Sequence, residues 1–245
     1  MRKQQQVIFN MATMPPRIPA LEESIPRILH QCDILNVYLN EFDDIPKILI
    51  DEKIVIFRSQ DCLGDIGDCG KFYVENQQGY IFHVDDKLLY PPDYVQKTIS
   101  FIEKYHRKAV VSWHGRDFHS DRPCHSYYYD LGKFYYYKWR QTVEHWIHEL
   151  GTGVLAYHSD TCQPELSWFP TTNMTDIWFS VKMQELGIPM LNPPRSGNWI
   201  TRSNAHDEAY SIHNFCNKND QYQTQVINDH LWKTRMVNNN KIITL

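Results

Sequence analysis

The residues most able to do chemistry stand where an apolar run meets two acids. In GYIFHVDDKLLYPPDYV the strand-like Tyr80–Val84 leads straight into Asp85 and Asp86, then Lys87, a Pro-Pro loop and a helix-like segment. Adjacent carboxylates at a strand exit suit a hard cation, Mg²⁺ or Mn²⁺, which one or two carboxylates can share with phosphate oxygens. The alternative is a solvated turn that caps the next helix. A third acid, Asp176 in NMTDIWFS, stands at the start of another helical stretch, where a carboxylate can serve as a general base or simply favour the helix dipole. His114 follows the apolar Ala109–Trp113. The twelve histidines contain no H-E-x-x-H, and the spacing of His145 and His148 predicts a shared face on an amphipathic helix. The tyrosines of 127–129 and 135–137 suit either a sugar-binding platform or packing at a strand edge.

The elements that must position these groups alternate along the first half. Strands are expected at Val7–Ala12, Ile34–Leu39, Lys53–Phe57, Tyr80–Val84 and Ala109–Trp113. Helices are expected over Leu21–Gln31, with Pro26 early in it, and over Asp93–Tyr105, where Asp93 is the N-cap and Val95, Ile99 and Ile102 form the apolar stripe. This alternation predicts an α/β fold with a mostly parallel central sheet. Ligands of such sheets sit outside the carboxyl ends of the strands, where Asp85 and Asp86 fall. Beyond residue 115 the texture changes to Tyr, His, Trp and Arg without a clean period. Leu150–His158 reads as one strand, and Asn173–Leu186 as a helix ended by Gly187. We expect one domain over 1–245, with a nucleotide-binding half at 1–115 and a less regular acceptor-side half at 116–245.

Composition excludes several classes. The chain has 245 residues, 42% of them hydrophobic and 13% aromatic, too apolar for global disorder. A formal net charge of -4 makes nucleic acid a poor partner. No apolar run approaches the ~18 residues of a membrane span. The N-terminal stretch lacks the features of a signal peptide. The six scattered cysteines, without C-x-x-C, are expected as reduced thiols. The expected location is the cytoplasm, with room for peripheral attachment at the inner face of the membrane.

Five segments in order resemble the GT-A class of nucleotide-sugar glycosyltransferases. Within it they are similar to a bacterial group that includes the heparosan capsule N-acetylglucosaminyltransferase. They are Ala12–Arg17 (ATMPPR), Gly67–Phe72 (GDCGKF), Asp85–Tyr94 (DDKLLYPPDY), Leu150–Gly153 (LGTG) and Asn173–Phe179 (NMTDIWF). The resemblance implies a GT-A fold and transfer of a sugar from a nucleotide-sugar donor, UDP-linked, to a glycan or lipid-linked glycan in bacterial-type surface polysaccharide assembly. It implies that Thr13 to Arg17 cradle the nucleotide, that Asp68 faces base or ribose, and that Lys71 reaches the diphosphate. Gly151, Thr152 and Gly153 would approach the donor sugar, and His114 the donor sugar or acceptor. Arg195 and Trp199 would reach the phosphates or stack on a sugar, and His213 stands where some members place a late metal ligand. Asp176 would take the acceptor proton in an inverting enzyme, or steady the reacting carbon in a retaining one.

One departure matters. The family's acidic triplet usually ends in the metal-binding acid, whereas this one reads Asp85-Asp86-Lys87. Either Asp86, with Asp85, takes a divalent cation after a one-residue shift, or Lys87 supplies the positive charge itself. Two rival readings stay open here: a non-catalytic nucleotide- or sugar-binding module of the same fold, and a metal-dependent phosphohydrolase.

Overall fold

A computed structural model of the chain describes residues 5–130, 132–205 and 219–245. Its centre is an eight-stranded sheet. In spatial order the strands are β3 (Ile54–Arg58), β2 (Ile34–Leu39), β1 (Val7–Thr13), β4 (Tyr80–Asp85), β11 (Val154–His158), β6 (Val110–Ser112), β12 (Met190–Asn192) and β9 (His145–Trp146). The first four run parallel, as does the β6–β12 pair. β11 is antiparallel to both β4 and β6, and β9 to β12. The sheet is therefore mostly parallel, with antiparallel insertions contributed by the second half.

Alternation along the strands decides what lies on each face. Phe9 and Met11 of β1, with Phe82 and Val84 of β4, pack under α1 (Ile18–Leu29) through Leu21, Ile25 and Ile28. Tyr94 and Ile102 of α2 (Tyr94–Lys104) close the same layer. Ile8 and Ile81 turn the other way, onto Phe72 and onto Phe179 of α3 (Thr175–Leu186). Covered faces of this kind are what parallel strands need. The last helix, Gln221–Asn228, joins a smaller cluster through Val226 and Ile227.

Several boundaries differ from the sequence reading. α1 starts at Ile18 instead of Leu21, because Pro19 suits a first turn, and it ends at Leu29. Pro26 lies inside it but on the exposed face, where the freed carbonyl can reach water. Asp93 precedes α2 without capping it; its carboxylate takes bonds from Lys97 and from the Trp199 indole instead. His145 lies in the short strand β9, and His148 just before β10 (Glu149–Leu150), so the expected helix is absent. Leu150–His158 is two strands, β10 and β11, broken at Gly151–Gly153. Gly187 does end α3, with φ of 70° in the left-handed region. Among the described residues all five cysteines are free thiols, and no helix is long and apolar enough to cross a membrane.

Candidate active site

The period of two in β4 separates the acid pair. Asp85 continues the face of Ile81 and His83, towards α3, while Asp86 follows in a tight turn that leads to β5 (Leu88–Leu89). Asp86 is nearly sealed at 7% exposure, and its Oδ2 accepts a 2.8 Å bond from the Thr13 hydroxyl at the end of β1. Burial pushes its carboxyl up, against the pull of Arg17 and Lys87. Arg17, at the end of the Pro15–Arg17 turn, is itself buried. The loop after β1 and the acid after β4 are thus one unit, as adjacent parallel strands require.

Asp85 belongs to a second unit. Lys71 Nζ donates to its Oδ1 at 2.9 Å, and Lys87 Nζ lies 3.7 Å from its Oδ2. Burial alone would push the Asp85 carboxyl up, but the two ammonium groups outweigh it and hold it well below the usual range. Lys71 is also buried; burial opposes its charge, yet Asp85, Asp68 and Asp176 together raise its pKa. Lys71 further donates to the Thr152 hydroxyl at 3.3 Å.

Thr152 carries the chain of contacts to α3. Its N–H and its hydroxyl both donate to Asp176 Oδ1, at 2.7 and 2.5 Å. That leaves Asp176 Oδ2 without a hydrogen bond among the described residues. Burial raises the Asp176 carboxyl above its ordinary value, which strengthens it as a base. Gly153, in the same break, must be glycine: a Cβ there would lie 2.5 Å from the Asp85 carboxylate. Asp85, Lys71, Thr152 and Asp176 therefore form a continuous bonded line from β4 to α3.

Asp68, which the resemblance assigns to base or ribose, is bonded to the start of α3. Its carboxylate accepts from the N–H groups of Asn173 and Thr175, at 2.6 and 3.3 Å, and from the Thr175 hydroxyl at 2.5 Å. The residue before α3, Met174, offers no cap, so an acid more than a hundred residues away closes the helix start. Arg195 is likewise occupied. It is buried, and its guanidinium donates to the carbonyls of Tyr135, Tyr136, Tyr137 and Pro193 and to Asn192 Oδ1. It pins the aromatic segment to β12 and joins none of the bonds linking Asp85 to Asp176. Trp199 packs on Trp113 and Tyr94, in the core layer of α2.

His114 lies against Gly151, walled by the rings of Phe134, Tyr136 and Tyr137. Burial lowers its pKa to about 3, so the imidazole is neutral, and its buried Nδ1 has no hydrogen-bond partner among the described residues. Tyr127, Tyr135 and Tyr137 are core residues, as packing at a strand edge requires, whereas Tyr129 is exposed. His213 lies outside the described residues.

Three contributors escaped the sequence reading. The fully buried Tyr90 donates its hydroxyl to Gly153 O at 2.6 Å and accepts from Asp85 N at 2.8 Å, clamping the acid to the glycine break. Asn40, just past β2, holds the loop that carries Lys71 through Gly67 O and Ile66 N. Glu149 sits buried beside Arg116, 2.8 Å away, and takes the Tyr127 hydroxyl. Burial pushes its carboxyl up to about 7 despite Arg116. The Tyr90 signal, DDKLLYPPDY, was visible, but its partner Gly153 lies 63 residues on.

Searches against protein-family models and against curated proteins found no match. Comparison with solved structures did. The mannosyltransferase PcManGT from Pyrobaculum calidifontis, in complex with GDP-Man and Mn²⁺, superposes with a TM-score of 0.53 at 15% identity, over 87% of this chain and 60% of that one. The two chains share a fold. The chain spans 60% of the mannosyltransferase's length. A second match, residues 1–349 of S. aureus TarS in complex with UDP-GlcNAc, has 10% identity over 72% of this chain and 53% of that one. Its TM-score of 0.41 carries no argument.

Proposed function

We propose that this chain is a glycosyltransferase that moves a sugar from a nucleotide-sugar donor to a hydroxyl of a glycan. The observation that carries the reading is Asp176: one carboxylate oxygen is fixed by two donors from Thr152, and the other makes no hydrogen bond among the described residues. The bonded line to Lys71 and Asp85 ties it to the carboxyl ends of β1 and β4, where open parallel sheets bind ligands. In the proposed step the acceptor hydroxyl gives its proton to Asp176 Oδ2. Its oxygen bonds the anomeric carbon as the bond to the diphosphate oxygen breaks, and the nucleoside diphosphate leaves. A single displacement of this kind inverts the anomeric configuration.

The remaining roles follow from position. The Thr13–Arg17 turn with Asp86 borders the nucleotide, and Lys71 and Lys87 face its diphosphate. The Gly151–Gly153 break and His114, neutral near pH 7, border the sugar. We assign residues 1–115 to the donor side and 116–245 to the acceptor side of one domain. By resemblance to the heparosan-type group, a UDP-linked hexose or N-acetylhexosamine is the proposed donor. A growing surface polysaccharide or its lipid-linked form is the proposed acceptor, with transfer on the cytoplasmic side of the membrane. Calorimetry against UDP, GDP and CDP tests the reading. Preferential heat with UDP, together with slow release of UDP from UDP-sugars, is the expected result. Equal, negligible heats for all three at millimolar ligand would overturn it, and binding without any turnover would reduce the chain to a binding module.

A further inference from the structure

A divalent cation in a nucleotide-sugar site needs carboxylate oxygens free to bind it. Among the described residues the acids do not fit that need. Both oxygens of Asp85 already face ammonium groups, Lys71 on Oδ1 at 2.9 Å and Lys87 on Oδ2 at 3.7 Å. Asp86 is 7% exposed, with Oδ2 engaged by Thr13 and the charge of Arg17 felt at its carboxyl. Among the described residues no three His, Cys, Asp or Glu side chains gather as a cation site. The ammonium groups of Lys71 and Lys87 lie against Asp85 and the charge of Arg17 acts on Asp86, so both acids are already compensated before any metal arrives. A dication brought there meets like charge at close range. A diphosphate meets the opposite.

We propose that Lys71 and Lys87 take the place of the divalent cation, so that this chain binds its donor diphosphate without a metal. Each cation has a distinct position. Lys71 is buried at 5% exposure and fixed between Asp85 and Thr152, a stationary charge at the floor of the site. Lys87 is the adjustable one: its side chain is 23% exposed, and its contact with Asp85 is a 3.7 Å ion pair. Its backbone, in contrast, is held, because Ser203 N donates to Lys87 O at 2.9 Å and the β5–β13 pair (Thr201–Arg202 on Leu88–Leu89) follows directly. A long flexible side chain on a fixed backbone can swing from Asp85 onto a phosphate and stay with the leaving diphosphate as negative charge builds on it. Asp85 then keeps Lys71 as its counter-ion and is not left bare.

This inference rests on the nucleotide-sugar reading above, and one experiment separates their failures. UDP and GDP are titrated calorimetrically into the wild type and into Lys87→Ala and Lys87→Arg, each in EDTA and in millimolar Mn²⁺. Direct Mn²⁺ binding is followed by the loss of its free paramagnetic signal. The expected result is nucleotide binding by the wild type in EDTA, with affinity within about twofold of that in Mn²⁺. Lys87→Ala should weaken binding about tenfold, the loss of one charge-assisted contact, and Lys87→Arg should recover most of it. Free protein should bind no Mn²⁺ at millimolar concentration. Nucleotide binding that appears only with Mn²⁺, or a Lys87→Ala protein that binds like the wild type, overturns the inference and leaves the donor reading intact. Absence of UDP and GDP binding under both conditions overturns both. Lys87 is partly exposed and outside the core, so a thermal midpoint close to that of the wild type certifies the variants as folded.

Discussion

The exit of β4 and the start of α3 hold acids in one bonded network, yet they treat those acids in opposite ways. At β4, Asp85 is surrounded by ammonium groups, and its carboxyl is held low. At α3, Asp176 receives neutral donors from Thr152, and burial holds its carboxyl high. Lys71 touches Asp85 directly and reaches Asp176 only through the Thr152 hydroxyl. The difference teaches that a fold can separate the holding of charge from the movement of a proton by choosing the partner of each carboxylate. A cation fixes a carboxylate as an anion; a hydroxyl and an amide leave it able to take a proton.

The comparison can be broken at either end. The largest effect is expected from Asp176→Asn, which keeps the bonds from Thr152 and loses the basic oxygen. Turnover should fall about 10²–10⁴-fold, the usual range for a positioned base, as measured by release of UDP in the presence of acceptor. Lys71→Met comes next. It strands Asp85 against a mostly buried neighbour, so unfolding in urea should show a loss of about 3 kcal/mol, the low end for a broken buried pair because Asp85 retains some access to water. Nucleotide affinity should fall with it. Arg195→Ala should cost about 2–3 kcal/mol, from the carbonyls of Tyr135–Tyr137 left without their donor, while UDP affinity stays within twofold. A loss of affinity without a loss of stability would favour the donor-site role that the resemblance implies for Arg195. Gly153→Ala should cost about 1–3 kcal/mol from the forced contact with Asp85.

The pH dependence of stability should carry opposite signs at the two ends. Asp85 is held below its ordinary value of 3.8, so its stabilising contribution is complete above about pH 4 and is lost as the pH falls further. Asp176 is held above that value, so its folded form favours the proton, and the ionised carboxylate costs stability as the pH rises through the raised value. Thermal midpoints of Asp85→Asn and Asp176→Asn from pH 3 to 8 would sharpen the contrast. The first variant should lose most relative to wild type at neutral pH, and the second should gain there.

Much of this arrangement was legible in the residues. The apolar runs of β1, β2 and β4 and the acids at the exit of β4 follow from local pattern, as does Asp176 in the first turn of α3. What was not legible depends on distance along the chain. Nothing near Met174 says that Asp68 caps α3, and the residue type of Asp68 fits a ribose contact equally well. Arg195 carries a charge that suits phosphate, but its neighbours are carbonyls supplied by residues 135–137. Tyr90 sat inside a recognised segment, and its role appears only when Gly153 folds back onto it. His145 and His148 fit a helical spacing, yet the β-branched and aromatic neighbours Trp146 and Ile147 pair with β12 instead.

The most direct measurement is UDP affinity by calorimetry for Asp85→Asn and Asp176→Asn side by side, each shown to be folded at the working temperature by a single cooperative thermal transition above it. If the exit of β4 holds charge and the start of α3 moves a proton, Asp85→Asn weakens UDP at least about tenfold, by loosening Lys71 and Lys87. Asp176→Asn then leaves UDP affinity within twofold of the wild type. Equal losses in both variants, or a loss confined to Asp176→Asn, would contradict that division.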